Sequence, residues 1–364
     1  MTASTVHYMP ILKGRMGELR ALRELGTRHS HALTPLIEIP LAAADIDTDD
    51  VDVPASQANS AKFADDLSKN VGTVRRLIFD ASQAPVDQSG QSASAHVLSL
   101  LLAEGLDATP TVRPSDDEND IASLRFAMKE WKTESACIRL AGEDLDPDDR
   151  SLAESVGRLL AGLGSPSPRA VDLVVDLGAL ADDQAGSFAS HIARLVLSEI
   201  PSIGEWRTLT LASGGFPPDL NSVQPEVLTE IPRRDAVMWR AVAGRVRTPE
   251  LGFGDYAVGY PAQTLGVGFA PAPQLRWTVG DSWLIYKGRK RDRLGSKQFY
   301  DICRRMVDAG AVDRGLSWGD EYVADAAGGE DSGRTTGNAM IWRALGTSHH
   351  LNYLVSRLAT HGAP

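Results

Sequence analysis

The chain has 364 residues, 43% of them apolar and 23% charged, which are ordinary proportions for a folded globular protein and exclude disorder as the default. That length suits one large domain with an appendage, or two domains. The formal net charge of −11 excludes a surface that coats nucleic acid throughout, because such binding neutralises phosphates with Lys and Arg, and leaves room only for a local basic patch.

At the start of the chain, MTASTVHYMP has neither the basic beginning nor the apolar core of a secretion signal. The run YMPILK then ends on Lys13 and Gly14, after which MGELRALREL has helical periodicity. From here onward β-branched and apolar runs alternate with segments whose apolar residues recur at helical spacing. LTPLIEI precedes an acidic, small-polar loop and the helix SAKFADDLSKN, and RRLIFDAS precedes SAHVLSLLLAEG. ATPTVRPS precedes ENDIASLRFAMKEW, SACIRLAG precedes DRSLAESVGRLLAGL, and VDLVVDLGA precedes AGSFASHIARLVLSEI. WRTLTLASGG leads to DAVMWRAVAGR, and GFGDYAVGY completes a set of eight predicted strands.

Strands joined by helical crossovers are parallel, and eight such units over about 250 residues match a closed (β/α)8 barrel. The competitor is an open doubly wound sheet, which would carry a G-x-G-x-x-G turn after a strand; the sequence has none. The expected fold is therefore α/β, a TIM-like barrel over residues 1–260. A Pro-, Gly- and Ala-rich connector is assigned to 261–274 and an α+β appendage to 275–364. In the appendage, LRWTV and SWLIYK flank Gly280 and Asp281 as a hairpin, and KQFYDICRRMVDAG reads as a helix. LSWGDEYVADAAGGEDSGRTTGN reads as a strand-like piece with a polar loop, and AMIWRAL and SHHLNYLVSRLA as two helical pieces separated by Gly346.

Cys137 and Cys303 are the only cysteines. Lying far apart in the chain, they suggest no disulfide framework and fit a reducing cytoplasm. No apolar run approaches the ~18 residues of a membrane span. The expectation is a cytoplasmic protein without a membrane partner.

In a barrel of this kind the carboxyl ends of the strands form the functional face. The predicted strands end in Lys13, Glu38, Asp80, Arg113, Arg139, Asp176, Ser213 and Asp255. Charges there must pair with one another or meet solvent and ligand, since a buried ion without a partner costs several kcal/mol. One reading is a self-neutralising structural network. The other is a ring around an anionic ligand, with Lys13, Arg113 and Arg139 binding it and Glu38, Asp80, Asp176 and Asp255 as acid or base candidates. Two carboxylates without histidines, Glu38 and Asp80, are too weak a signal for a metal, so none is assigned.

The seventh strand ends in SGGF, and exposed backbone amides at Ser213, Gly214 and Gly215 are candidates for phosphate binding. The two prolines that follow, Pro217 and Pro218, exclude a helix directly after them. From Lys287 to Lys297, KGRKRDRLGSK carries six basic residues and one acid. It reads as a solvated loop or as contact surface for phosphate or an acidic partner, with Lys287 the ligand-binding candidate. His349 and His350 follow Ser348 at an expected helix start, and His350 is a candidate donor or base. Being adjacent, the two cannot share one helix face as metal ligands do in H-E-x-x-H. No nucleophile elbow, Walker loop or zinc spacing is present.

Several segments in order, YMPILKGRMGELRAL, LTPLIEI, LVVDLG, GGFPPDL, RRDAVMWR, GFGDY, LRWTVGDSWLIYKG, SWGDEYVA and NAMIWRALGTSHHLNYL, resemble the bacteriophage beta-protein family. The resemblance spans nearly the whole chain. It implies a shared architecture and a phage or antiphage setting, and transfers no reaction, cofactor or catalytic residue. Two functions are expected from the residues, with the phage setting supplied by the resemblance. One is binding, or processing, of an anionic, phosphorylated or nucleotide-like small molecule at the barrel mouth. The other is a non-catalytic interaction protein that grips a phage or host protein through its basic loop, with nucleic acid left open as a partner.

Overall fold

The computed structural model describes residues 6–27, 29–40, 60–82, 92–145, 151–246, 250–262 and 271–364. The acidic loop expected after LTPLIEI and most of the expected connector lie outside the described residues. Eight parallel strands close into a barrel: β1 (Tyr8–Leu12), β2 (Leu36–Glu38), β3 (Arg76–Asp80), β4 (Asp107–Val112), β5 (Ala136–Ala141), β6 (Val171–Ala179), β7 (Thr208–Gly214) and, after an intervening β8 (Thr229–Pro232), β9 (Leu251–Asp255). Closure comes from β1 pairing with β9, Tyr8 opposite Phe253 and Pro10 opposite Asp255. Helices α1 (Met16–Arg23), α2 (Ser60–Asn70), α3 (Ala93–Ala103), α4 (Glu118–Glu130), α5 (Leu152–Gly162), α6 (Asp183–Glu199) and α7 (Arg234–Ala243) stand between the strands. This is an α/β, TIM-like fold, as the alternation predicts.

The side-chain period of two sorts the strand residues into two cores. Tyr8, Leu12, Ile37, Phe79, Ile138, Val175, Leu211 and Phe253 join the main core with residues of the surrounding helices. Their neighbours Met9, Ile11, Leu36, Ile78, Cys137, Val174 and Ala212 form a separate apolar cluster with Tyr256, which fills the barrel interior. Beyond it toward the amino ends of the strands sits an ionic plug. Fully buried Asp172 pairs with Arg76 at 2.8 Å and Arg207 at 2.6 Å and accepts the Thr208 hydroxyl at 2.6 Å.

The hairpin of the appendage forms as expected, β10 (Gln274–Val279) and β11 (Ser282–Lys287), with Gly280 at φ +57° in its turn. Three features differ from the sequence reading. The four residues of β8 pair antiparallel with β11, Trp283 opposite Ile231, so a segment between two barrel strands completes the appendage sheet. Four residues ending in proline are too short for alternation to reveal. After α8 (Gln298–Asp308), the expected strand-like piece is α9 (Trp318–Ala326), capped by the Ser317 hydroxyl accepting the Asp320 amide. The last segment, α10 (Ala339–His361), is one unbroken helix. Gly346 does not break it but lets it lie against β10, where a Cβ would sit 2.5 Å from the Arg276 carbonyl oxygen. His349 and His350 consequently lie in the middle of a helix and not at its start.

Candidate functional site at the barrel mouth

Six of the eight predicted strand-end residues meet at the carboxyl mouth. Arg139, 3% exposed, is the hub. Its guanidinium contacts Glu38 at 2.8 Å, Asp80 at 2.8 Å and Asp176 at 2.6 Å, and donates to the Tyr256 hydroxyl at 2.9 Å. Tyr256 donates in turn to Asp176 at 2.5 Å. Lys13 pairs with Glu38 at 2.5 Å, donates to the Pro261 carbonyl, and lies 4.7 Å from the Tyr256 ring centre. Gly14, at φ +66°, turns the chain away from Lys13 where a Cβ would collide with the Glu38 carbonyl oxygen at 2.7 Å. Arg113 reaches Asp80 at 2.6 Å, and its side chain keeps 20% of its surface exposed.

Three cations and three carboxylates thus neutralise one another, which is how a cluster this buried escapes the cost of isolated ions. Burial opposes ionisation of Asp80, yet Arg139 and Arg113 hold its carboxyl well below the usual carboxylate range. Asp176 is likewise lowered against burial by Arg139 and the Tyr256 hydroxyl. Burial and the Asp176 charge push the Tyr256 phenol well above its ordinary value. These groups are locked in single protonation states, and a locked group is a poor proton shuttle.

The loops above the ring hold two carboxyls of the opposite kind. Asp116 accepts the Arg113 amide at 2.8 Å and is half-buried; burial, with the charges of Asp80 and Asp144, raises it to about 6. Asp144 accepts the Ala141 amide at 3.3 Å and is raised by burial. The sequence singles out neither, because both lie beyond the predicted strand ends Arg113 and Arg139, in loops where an aspartate is unremarkable as a turn former.

Residues 8–356, which contain every one of these side chains, match the family described as Beta protein. The chain belongs to the Beta protein family. No curated protein matches it.

In this Beta-family chain the other two strand-end residues turn away from the mouth, because side chains alternate and Tyr256 takes the inward position. Asp255, 1% exposed, accepts from Tyr8 at 2.9 Å, His350 at 2.8 Å and Arg233 at 3.3 Å on the outer face of the barrel. Arg233 also pairs with Asp235 at 2.7 Å. Burial opposes ionisation of Asp255, but His350 and Arg233 lower it, whereas burial and the Asp255 charge raise Asp235. The second nitrogen of His350 meets the Thr278 hydroxyl at 2.6 Å. Hydroxyl, imidazole and carboxylate stand in the order of a catalytic relay. Thr278 and His350 are nevertheless 0% exposed, so the chain of bonds ties β10 and α10 to the barrel rather than facing a substrate. Neighbouring His349 points elsewhere, bonding Asp320 at 3.0 Å and the Thr278 carbonyl at 2.8 Å while stacking 4.1 Å from Trp277.

Ser213 is fully buried with its hydroxyl unpartnered among the described residues. The glycines beside it have a packing role. A Cβ on Gly214 would sit 2.4 Å from Pro261, and one on Gly215 would sit 2.9 Å from the Arg234 amide. The α7 N-terminus therefore does come up beside this loop, despite the two intervening prolines. Lys287 donates to the Leu220 carbonyl at 2.6 Å and makes no bond to the ring. In the basic run, Arg289 pairs with Glu226 at 2.6 Å and Lys297 with Glu330 at 2.8 Å, while Arg289 to Arg291 are exposed. Among the described residues, no group of three or more His, Cys, Asp or Glu side chains is arranged to hold a metal ion. Likewise no described helix is long and apolar enough to cross a membrane.

Proposed function

We propose that the barrel mouth binds a small anionic ligand, phosphorylated or nucleotide-like, in a phage-associated cytoplasmic setting. The supporting observation is the convergence of Lys13, Arg113 and Arg139 with Glu38, Asp80 and Asp176 from the ends of six strands at one opening. Within it Arg113 is the cation a ligand can reach, since Lys13 and Arg139 are sealed beneath it. The ring is the fixed base of the site, and Asp116, raised to about 6, is the group able to exchange a proton near neutral pH, with Asp144 beside it also raised by burial. Calorimetry and thermal-shift measurements with nucleotides and phosphosugars test this reading. The expected result is a response by wild type that Arg113→Gln weakens. Equal responses of the two proteins to every ligand would remove it.

A second reading has its own observation, the exposed basic run at Arg289, Lys290 and Arg291 beside the appendage sheet. In it the barrel is a scaffold and the loop grips a phage or host protein in antiphage defence. Charge reversal of these three residues would then abolish partner capture while Arg113→Gln leaves it intact. Retention on DNA that falls steeply with salt would instead point to nucleic acid as the partner.

A further inference from the structure

Beside the ring, where the first turn of α1 meets the appendage, three arginines share one carboxylate. Arg15 precedes α1, Arg276 lies on β10 and Arg343 on α10. Glu18 is their common counter-charge, and it is already engaged. Its Oε2 accepts the Lys13 amide at 2.8 Å and the Arg15 amide at 3.4 Å, and its Oε1 is 3.9 Å from Arg343, too far for a hydrogen bond. Arg276 donates to the Val258 carbonyl at 2.9 Å and lies 4.8 Å from the Phe216 ring centre. The Arg15 Nε is buried without a partner among the described residues. All three arginines are half-buried, sheltered from bulk solvent yet reachable.

Three positive charges against one negative leave an excess of two in a partly desolvated corner, in contrast to the adjacent ring, where the charges cancel. The imbalance has a physical signature. Burial and the nearby Arg343 guanidinium pull Arg276 down to about 9, and burial lowers Arg343 as well, with Arg15 adding to the repulsion in both cases. A group of cations that repel one another in place is stabilised by whatever anion enters among them. Guanidinium groups present planar forks suited to oxyanions, and a phosphate dianion matches the excess of two.

We propose that Arg15, Arg276 and Arg343 form a phosphate-binding subsite on the rim of the barrel mouth, built jointly by the β1–α1 turn and the appendage. It deepens the mouth reading by assigning the ligand's phosphate to the rim instead of the glycines after β7. It rests on that reading only for the identity of the natural ligand. The subsite itself needs no contribution from Arg113. Because Arg276 and Arg343 come from the appendage, the barrel without it would lack two of the three cations.

The test is calorimetry and thermal shift of the full chain with inorganic phosphate and pyrophosphate at low ionic strength, against sodium chloride of equal ionic strength. Wild type binds pyrophosphate, and Arg15→Gln and Arg343→Gln each weaken binding by roughly tenfold or more, as expected for loss of one charged hydrogen-bond donor. Glu18→Gln, which keeps an acceptor for the two amides, tightens binding several-fold. A gain of affinity cannot come from damage to the fold. Arg158→Gln, at an exposed arginine of α5 outside both sites, leaves pyrophosphate binding unchanged. Absence of any response in wild type overturns the inference, as do wild-type affinities in Arg15→Gln and Arg343→Gln. Loss of pyrophosphate binding in Arg113→Gln would move the anion into the mouth and overturn the rim assignment alone. The mouth reading is judged separately, by the nucleotide and phosphosugar response of Arg113→Gln.

Discussion

Arg139 and Asp80, 59 residues apart in sequence, meet at 2.8 Å inside the barrel mouth with 3% and 2% of their side chains exposed. The arginine touches three carboxylates, so its removal exposes each of them to the other two. Arg139→Met is expected to cost about 3–5 kcal/mol, the range for breaking a buried pair from one side. Urea unfolding at neutral pH measures it. Combining it with Asp80→Asn removes one of the stranded charges, and the double variant should be more stable than Arg139→Met alone. If the double variant loses the sum of the two single losses, the charges are not coupled as the geometry requires.

The two tiers of carboxyls at the mouth should respond to pH in opposite directions. Asp80 and Asp176 are lowered in the folded state. Their stabilisation is therefore complete above the unfolded carboxyl range, near pH 4, and is lost as pH falls below it. Asp116 is raised to about 6, so the folded state holds its proton more tightly than the unfolded state does. Stability linked to Asp116 is complete below about pH 4 and declines as pH rises through 6. Asp116→Asn, which keeps an acceptor for the Arg113 amide, should be more stable than wild type at pH 8 and equal to it at pH 4. Denaturant midpoints at the two pH values decide this, and an equal shift at both would contradict it.

Much of this arrangement can be read from the chain before folding. Lys13, Glu38, Asp80, Arg113, Arg139 and Asp176 each end a hydrophobic run, and the barrel's geometry carries residues at that position to one opening. What cannot be read is the direction in which a strand's last residue points. Asp255 and Tyr256 are neighbours, and only the register of β9 against β1 and β7 makes the tyrosine inward and the aspartate outward. Residues outside the alternation are hidden for a related reason. Arg233 lies just before α7 and Arg276 on an appendage strand, and nothing local marks either as part of a polar cluster that forms only in the tertiary structure. The middle of α10 was equally opaque, because Gly346 has the local signature of a break and is accepted for its contact with β10.

The glycines after β7 offer a direct separation of packing from ligand binding. A Cβ on Gly214 would lie 2.4 Å from one carbon of Pro261 and 3.0 Å from the Tyr256 ring. Gly214→Ala must push Pro261, whose carbonyl holds Lys13, and so should destabilise by about 1–3 kcal/mol, the usual cost of overpacking. Thermal and urea unfolding measure the loss. Pyrophosphate affinity should stay within a factor of about two of wild type, because a small side chain here meets no proposed phosphate ligand. Loss of affinity with unchanged stability would restore these glycines as the phosphate site.

On the outer face, His350 joins two groups that come from different parts of the fold, Asp255 on β9 and the Thr278 hydroxyl on β10. Replacing it with leucine, of similar bulk, leaves Asp255 with Tyr8, Arg233 and the Ala257 amide but without its imidazole, and leaves the Thr278 hydroxyl buried without its partner. His350→Leu should therefore lose about 3–5 kcal/mol at neutral pH, chiefly from the stranded carboxylate. Adding Thr278→Val removes the orphaned hydroxyl and should return about 1 kcal/mol or more. Asp255 is lowered in the folded protein partly by His350, so the variant's deficit should be largest above about pH 4 and shrink as acid protonates the carboxyl. The loss should also appear locally, as faster amide exchange in the middle of α10 and in β10 than in strands β3 to β6. Exchange that accelerates uniformly across the barrel would show that this contact is not a local tie between appendage and barrel.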